Sequence, residues 1–183
     1  LSTSPKFGPR KQKAIKSSTV QKTTSADTPK TYSFNALWAG NFAELQDKNV
    51  TIHTLILGTH PSVTSLLENK YFGHPMNAFW WIAGDCLGFR RNDGITMQGE
   101  PYKFTSQLRY STEYVIPYSE QIRLFASKGF ALWDVVKECQ RKGSLDSAIK
   151  GDAPNDIRGF CEQHPSINRI VLANGGTACS KFN

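Results

Sequence analysis

Three short apolar runs set the pattern of the chain. Thr51–Gly58 (TIHTLILG) is rich in β-branched residues and closed by glycine, which predicts a buried parallel strand. Ala131–Val136 (ALWDVV) predicts a second strand. Arg169–Asn174 (RIVLAN), closed by Gly175-Gly176, predicts a third. Helical patterns lie between and after them. Asn77–Leu87 is apolar on one side. Ser119–Lys128 opens on serine, a good N-cap, and reaches Gly129. Asn155–His164 opens on Asn-Asp and stops before Pro165, and Gly176 leads into a further helix from Thr177. Strands alternating with helices predict α/β layers around a mainly parallel sheet. Residues 88–117 are polar and mixed and predict a long loop or insertion, with room for a hairpin. There is no internal repeat.

Composition divides the chain unevenly. Among its 183 residues, the first 30 hold seven basic residues (Lys6, Arg10, Lys11, Lys13, Lys16, Lys22, Lys30) and one acid, Asp27, so they carry +6 of the net +7. The same stretch is rich in Ser and Thr and poor in large apolar residues, which predicts a disordered basic tail over 1–30 and a folded domain over 31–183. Such a tail can hold nucleic acid through phosphates, act as a nuclear address, form part of a transit peptide, or be a solvated linker. A nuclear protein is the expectation, with mitochondrial and cytoplasmic placement as alternatives. No run approaches the ~18 apolar residues of a membrane span. Cys86, Cys139, Cys161 and Cys179 are dispersed, without zinc spacing, and predict structural thiols rather than a metal or cluster site.

In an open parallel sheet, ligands bind beyond the carboxyl ends of the strands. Gly58-Thr59-His60-Pro61-Ser62 follows the first predicted strand, where a Gly-x-x-Pro turn can bring backbone N–H groups and a polar side chain to the sheet edge. Read alone, it is more simply a strand-ending turn. Tyr71–Trp81 (YFGHPMNAFWW) joins two aromatics, a Gly-His-Pro turn and Asn77 to an aromatic cluster. A ring beside that turn can stack on a planar base. Asn77 can orient a water and donate through its amide, or cap a helix. Phe79, Trp80 and Trp81 are expected in the core. Asn174 lies after the third strand.

GTHPS followed by GHPMNAFW resembles the uracil-DNA glycosylase superfamily, and its nearer likeness is to the DNA-deoxyinosine (hypoxanthine-DNA) glycosylase branch. The likeness continues in ALWDVVKECQRKGSLDSAI, in Asn155-Asp156-Ile157 and in INRIVLANGGTA, and so spans most of 55–183. It implies a three-layer α/β sandwich with a central, mainly parallel sheet flanked by helices. It implies a monomeric, monofunctional enzyme that flips a deaminated base, hypoxanthine or uracil, out of DNA. Water then hydrolyses the N-glycosidic bond without metal or cofactor, leaving an abasic site. Residue by residue, Gly58, Thr59, His60, Pro61 and Ser62 occupy the water-activating motif, with His60 as its catalytic candidate; Asn77 holds the catalytic position of GHPMNAFW, and His74 of the same string is a substrate-binding candidate. Tyr71 or Phe72 matches the ring that stacks on the base, and Asn174 lies near the pocket or only ends the strand.

The chain departs from that pattern in two places. Many members carry Asp or Asn where this chain has His60. The superfamily also has a Ser-Pro loop after the last strand that presses into the minor groove. No residue after Asn183 supplies one, so the domain is expected to be incomplete at its end and to flip DNA poorly in this form. The rival expectation is a catalytically impaired DNA-binding module on a glycosylase-like fold.

Overall fold

The computed structural model describes residues 28–109 and 112–183. All of the basic tail before Thr28 lies outside them. Lys30, counted above with the tail, opens the first strand.

The central strand β2, Thr54–Gly58, is buried along nearly its whole length. It pairs in parallel with β3, Phe130–Asp134, on one side and with β6, Arg169–Leu172, on the other. Successive side chains of a strand point to opposite faces, and here both faces are covered. Leu55 and Leu57 pack with Ile52, Ala131, Ile157 and Ala178 on the face covered by α5 (Ile157–Gln163) and α6 (Gly175–Phe182). Ile56 and Leu132 pack against Trp80, Ala83 and Phe125 on the face covered by α3 (Phe79–Leu87) and α4 (Tyr118–Ser127). The three layers are those the sequence predicts. The free edge of β3 is closed by Leu37, which exchanges two 2.8 Å backbone hydrogen bonds with Leu132.

The strand boundaries need correction. β3 ends at Asp134, and from Val136 the chain leaves the parallel sheet as β4, Val136–Gln140. β4 pairs antiparallel with β1, Lys30–Tyr32, and with β5, Lys150–Pro154, in a second three-stranded sheet. The hydrophobic pattern does not reveal that sheet because β1 is three residues long and β5 (KGDAP) is built from residues depleted in strands. Two short helices, α1 (Ala43–Gln46) and α2 (Val63–Glu68), complete the order.

The helix caps differ in detail. Pro117, not Ser119, precedes α4. Asp156 caps α5 by accepting from the Gly159 N–H at 2.9 Å, while the Asn155 amide donates instead to the Asp134 carbonyl at 2.8 Å. The described residues of the 88–117 stretch are anchored rather than free. Tyr102 and Phe104 stack on each other, and both meet Trp81 edge-on. A turn around Gly99 closes an isolated bridge between Ile95 and Pro101.

Leu57 is completely buried at the centre of this sheet. Leu57→Ala should lower stability by ~2–5 kcal/mol through lost burial and the cavity left behind, measured by denaturant unfolding. A loss below ~1 kcal/mol would mean that β2 is not the sheet's buried axis.

Candidate active site

Because β2, β3 and β6 run the same way, their carboxyl ends finish together. A cavity of about 310 Å³ opens there, lined by Gly58, His60, Pro61 and Ser62 after β2, by Tyr71, Phe72 and Asn77, and by Asn174 after β6. Ser65 of α2, Asp134 from β3 and Ser144, Leu145 and Asp146 from the turn between β4 and β5 complete the wall. That volume is at the small end of the ~300–1,000 Å³ typical of small-molecule sites. A larger hollow of about 560 Å³ lies between α5 and α6. Its charged groups are already engaged, with Lys181 on Asp152, Arg158 on Glu162 and Asp156 in its cap.

Two predicted residues lie outside the cavity. Thr59 is wholly buried beneath it and accepts from the Asn174 amide at 3.3 Å. His74 is exposed and uses its Nδ1 to accept from the Met76 N–H at 3.2 Å.

The two sequence strings are stitched together by serines. Ser62 caps α2 by accepting from the Ser65 N–H at 3.1 Å, and the Ser65 hydroxyl accepts from the Gly73 N–H at 3.0 Å. The turn before α2 and the Gly-His-Pro loop are thereby held against one another. Neither Ser65 nor its bond to Gly73 has a signal in hydrophobic patterning.

His60 is buried, and both ring nitrogens are engaged. Nδ1 stands 3.1 Å from the Val136 carbonyl, which can only accept, so Nδ1 carries the proton. Nε2 then accepts from the Thr31 hydroxyl at 2.9 Å. Burial pushes the imidazole pKa down, against the pull of the Val136 carbonyl. A neutral ring with both nitrogens occupied ties the turn to β4 and β1, and has no lone pair left to take a proton from water.

The aromatic pair divides cleanly. Tyr71 is buried, its hydroxyl donating to the Asn35 carbonyl at 2.9 Å, and burial raises its pKa. Phe72 is only half-buried and lines the cavity. Its backbone takes φ +50°, a left-handed conformation that costs a non-glycine residue ~1–2 kcal/mol. Strain of this kind persists where the surroundings impose it. Phe79 backs the ring, with centroids 4.2 Å apart and planes 22° from parallel.

Asn77 is not the N-cap of α3, which is Ala78, but lies one residue before it. Its Oδ1 accepts from the Phe79 N–H at 2.9 Å at the start of the helix. That bond fixes which end of the amide is which. Arg91 secures the same loop from behind, donating to the carbonyls of His74 and Asn77 at 3.1 Å each and of Gly73 at 3.2 Å. Arg141, also buried, donates to the Pro61 carbonyl and lies 3.4 Å from Asp146.

Asp134 is the unexpected member. It is 3% exposed, and its Oδ2 has no hydrogen-bond partner among the described residues. A β-carbon on residue 58 would fall 2.5 Å from its Oδ1, so any other residue there would displace the carboxyl. Burial, with repulsion from Asp146, pushes its pKa up to about 7. Asp134, Arg141, Ser144 and Asp146 all fall within the ALWDVVKECQRKGSLDSAI string, which resemblance marked without giving those residues a role. The available signal was a carboxylate inside a strand predicted to be buried.

Among the described residues no group of His, Cys, Asp and Glu could hold a metal ion, and no helix is long and apolar enough to cross a membrane.

No family model matches the chain. Individual proteins do. It is 30% identical over 137 residues to a hypoxanthine DNA glycosylase of Methanosarcina acetivorans, covering 75% of this chain and 71% of that protein. The chain belongs to the hypoxanthine-DNA glycosylase family. A Methanosarcina barkeri protein of the same name is 28% identical over 134 residues, covering 73% of this chain and 69% of its own length. The fold also matches the solution NMR structure of a Methanosarcina acetivorans protein provisionally assigned as a uracil DNA glycosylase. That match has a TM-score of 0.57 and 25% identity, over 83% of this chain and 74% of the other. The family places the chain among DNA glycosylases of the uracil-DNA glycosylase superfamily, with DNA as substrate.

Replacing Arg91 should free the loop that carries Asn77. A charged fork holding three carbonyls contributes ~1.5–3 kcal/mol or more, and lysine cannot reproduce the fork. Arg91→Met and Arg91→Lys should both speed amide hydrogen exchange at Asn77 and Phe79. Unchanged exchange at both amides would show that the loop is held without the guanidinium.

Proposed function

We propose that this protein hydrolyses the N-glycosidic bond of a deaminated base in DNA, hypoxanthine or uracil, after flipping it into the 310 Å³ cavity, and leaves an abasic site. The observation that carries the reading is that Asn77 and the Gly58–Ser62 turn, distant in sequence, line one small cavity at the carboxyl end of a parallel sheet.

The chemistry follows from what such a bond requires. Breaking it leaves an oxocarbenium-like sugar and an anionic base, and a water must be placed to capture the sugar. Phe72 offers a ring, backed by Phe79, on which a flipped base stacks. Asn77, with Oδ1 fixed by the Phe79 N–H, presents its amide to the cavity, and the second lone pair of Oδ1 can orient water. His60 serves as a positioning residue rather than a base, since its two nitrogens are committed to Val136 and Thr31. Flipping costs a few kcal/mol and is easiest for a mispaired nucleotide. A deaminated base is mispaired, so that cost contributes selectivity.

Asn77→Ala should reduce single-turnover release of hypoxanthine by ~100-fold or more. The loss of the bond from the Phe79 N–H should cost only ~1 kcal/mol of stability. A folded Asn77→Ala protein that turns over at the native rate would remove Asn77 from the chemistry. A native protein that binds such duplexes and releases no base would leave the non-catalytic DNA-binding module as the better reading.

A further inference from the structure

One polar group at the pocket has no role in the reading above. Asp134 ends β3 in a row that is otherwise apolar, with Phe130 and Leu132 on the same face. It faces Gly58 across the β2–β3 pairing. The glycine lets the two strands carry a carboxyl at that level, since any β-carbon would fall 2.5 Å from Oδ1. A buried carboxyl oxygen without a partner is costly to maintain, and none of the described residues relieves it.

The charged and titratable groups around it are all otherwise engaged. Arg141 is bound to the Pro61 carbonyl and to Asp146. The Tyr71 hydroxyl donates to the Asn35 carbonyl at 2.9 Å. His60 has both nitrogens occupied. Asp146 lines the same cavity and repels a second negative charge. An unpaired carboxyl in the wall of a small cavity is a group whose partner arrives with the ligand.

We propose that the Asp134 carboxyl hydrogen-bonds the lactam edge of the flipped base and is a specificity-determining residue of this site. The inference rests on the reading of the cavity as a base pocket. Deaminated bases share an N–H beside a C=O. A carboxylic acid sets an acceptor beside an O–H donor and pairs with that edge through two hydrogen bonds. An ionised carboxylate keeps only acceptors and meets the base carbonyl with repulsion. Burial and Asp146 hold the proton on Asp134 up to about pH 7, against the attraction of Arg141, so base reading should fail as pH rises through that value.

The same shift fixes the sign of a stability effect. The folded state holds this proton more tightly than the unfolded chain, whose carboxyl titrates at the ordinary value of 3.8. Native stability is therefore lost as pH rises from 3.8 to about 7, and the loss persists above it. Asp134→Asn and Asp134→Leu should both fold and melt higher than the native protein in mildly alkaline buffer, with the margin vanishing near the unfolded value.

The test is single-turnover hypoxanthine release by the native protein and both variants across neutral pH. Native release should decline as pH passes about 7. Asp134→Leu should fall by about 100-fold at mildly acidic pH, since it removes groups aimed at the substrate. Asp134→Asn presents the same acceptor and donor without titrating. It should stay within about tenfold of native at mildly acidic pH and lose the decline above neutrality. A folded Asp134→Leu protein with the native rate, or equal rates for the two variants, would overturn the inference while leaving the pocket assignment standing. A native protein that releases no base would overturn that assignment and the inference with it.

Discussion

The parallel pairing of β2 with β3 and β6 is the constraint from which the site follows. A strand buried on both faces and paired in parallel on both sides cannot slip its register without moving Leu55 and Leu57 out of one core and Ile56 out of the other. With that register fixed, Gly58, Asp134 and the chain leading to Asn174 finish at one level. The turn after β2, the turn after β6 and the loop before α3 then meet around a single cavity. The cavity is placed by backbone pairing far from any group that lines it.

Holding the loops there takes polar groups that are themselves fully employed. Ser65 joins α2 to Gly73, Arg91 gathers three carbonyls of the Asn77 loop, and Arg141 grips Pro61. His60 belongs with these. Sequence resemblance put it in a water-activating motif, but its contacts make it a strut between the turn, β4 and β1. Asp134 and the strained Phe72 differ from these satisfied groups, and both line the cavity. Cost of that kind at a cavity wall is what a binding site imposes on a fold.

The parallel sheet was legible in the sequence because its strands are short, mainly apolar runs, two of them closed by glycine or asparagine. The antiparallel sheet was not, because β5 is Lys-Gly-Asp-Ala-Pro and β1 is three residues of mixed polarity. Their pairing is set by β4, whose start was hidden inside the run ALWDVV. Within the site, Asn77, Phe72 and the Gly58–Ser62 turn could be read because they sit in compact strings. Asp134, Arg141 and Asp146 could not be given roles, since their importance lies in which partners they have or lack. Arg91 gave no signal at all, because a guanidinium bound to backbone carbonyls leaves no mark in side-chain patterning.

In the proposed complex a deaminated base enters this cavity between Phe72, Asn77 and Asp134. The most direct measurement uses a duplex with one 2′-fluorinated deoxyinosine, in which electron withdrawal at the sugar disfavours the oxocarbenium-like state and keeps the bond intact. Backbone amide shifts of the protein are then recorded with this duplex and with an undamaged one. The account predicts shifts at Gly58, Phe72, Asn77, Val135 and Asn174 that appear only with deoxyinosine. Identical shift patterns for the two duplexes, or deoxyinosine-dependent shifts confined to residues outside the cavity, would contradict it.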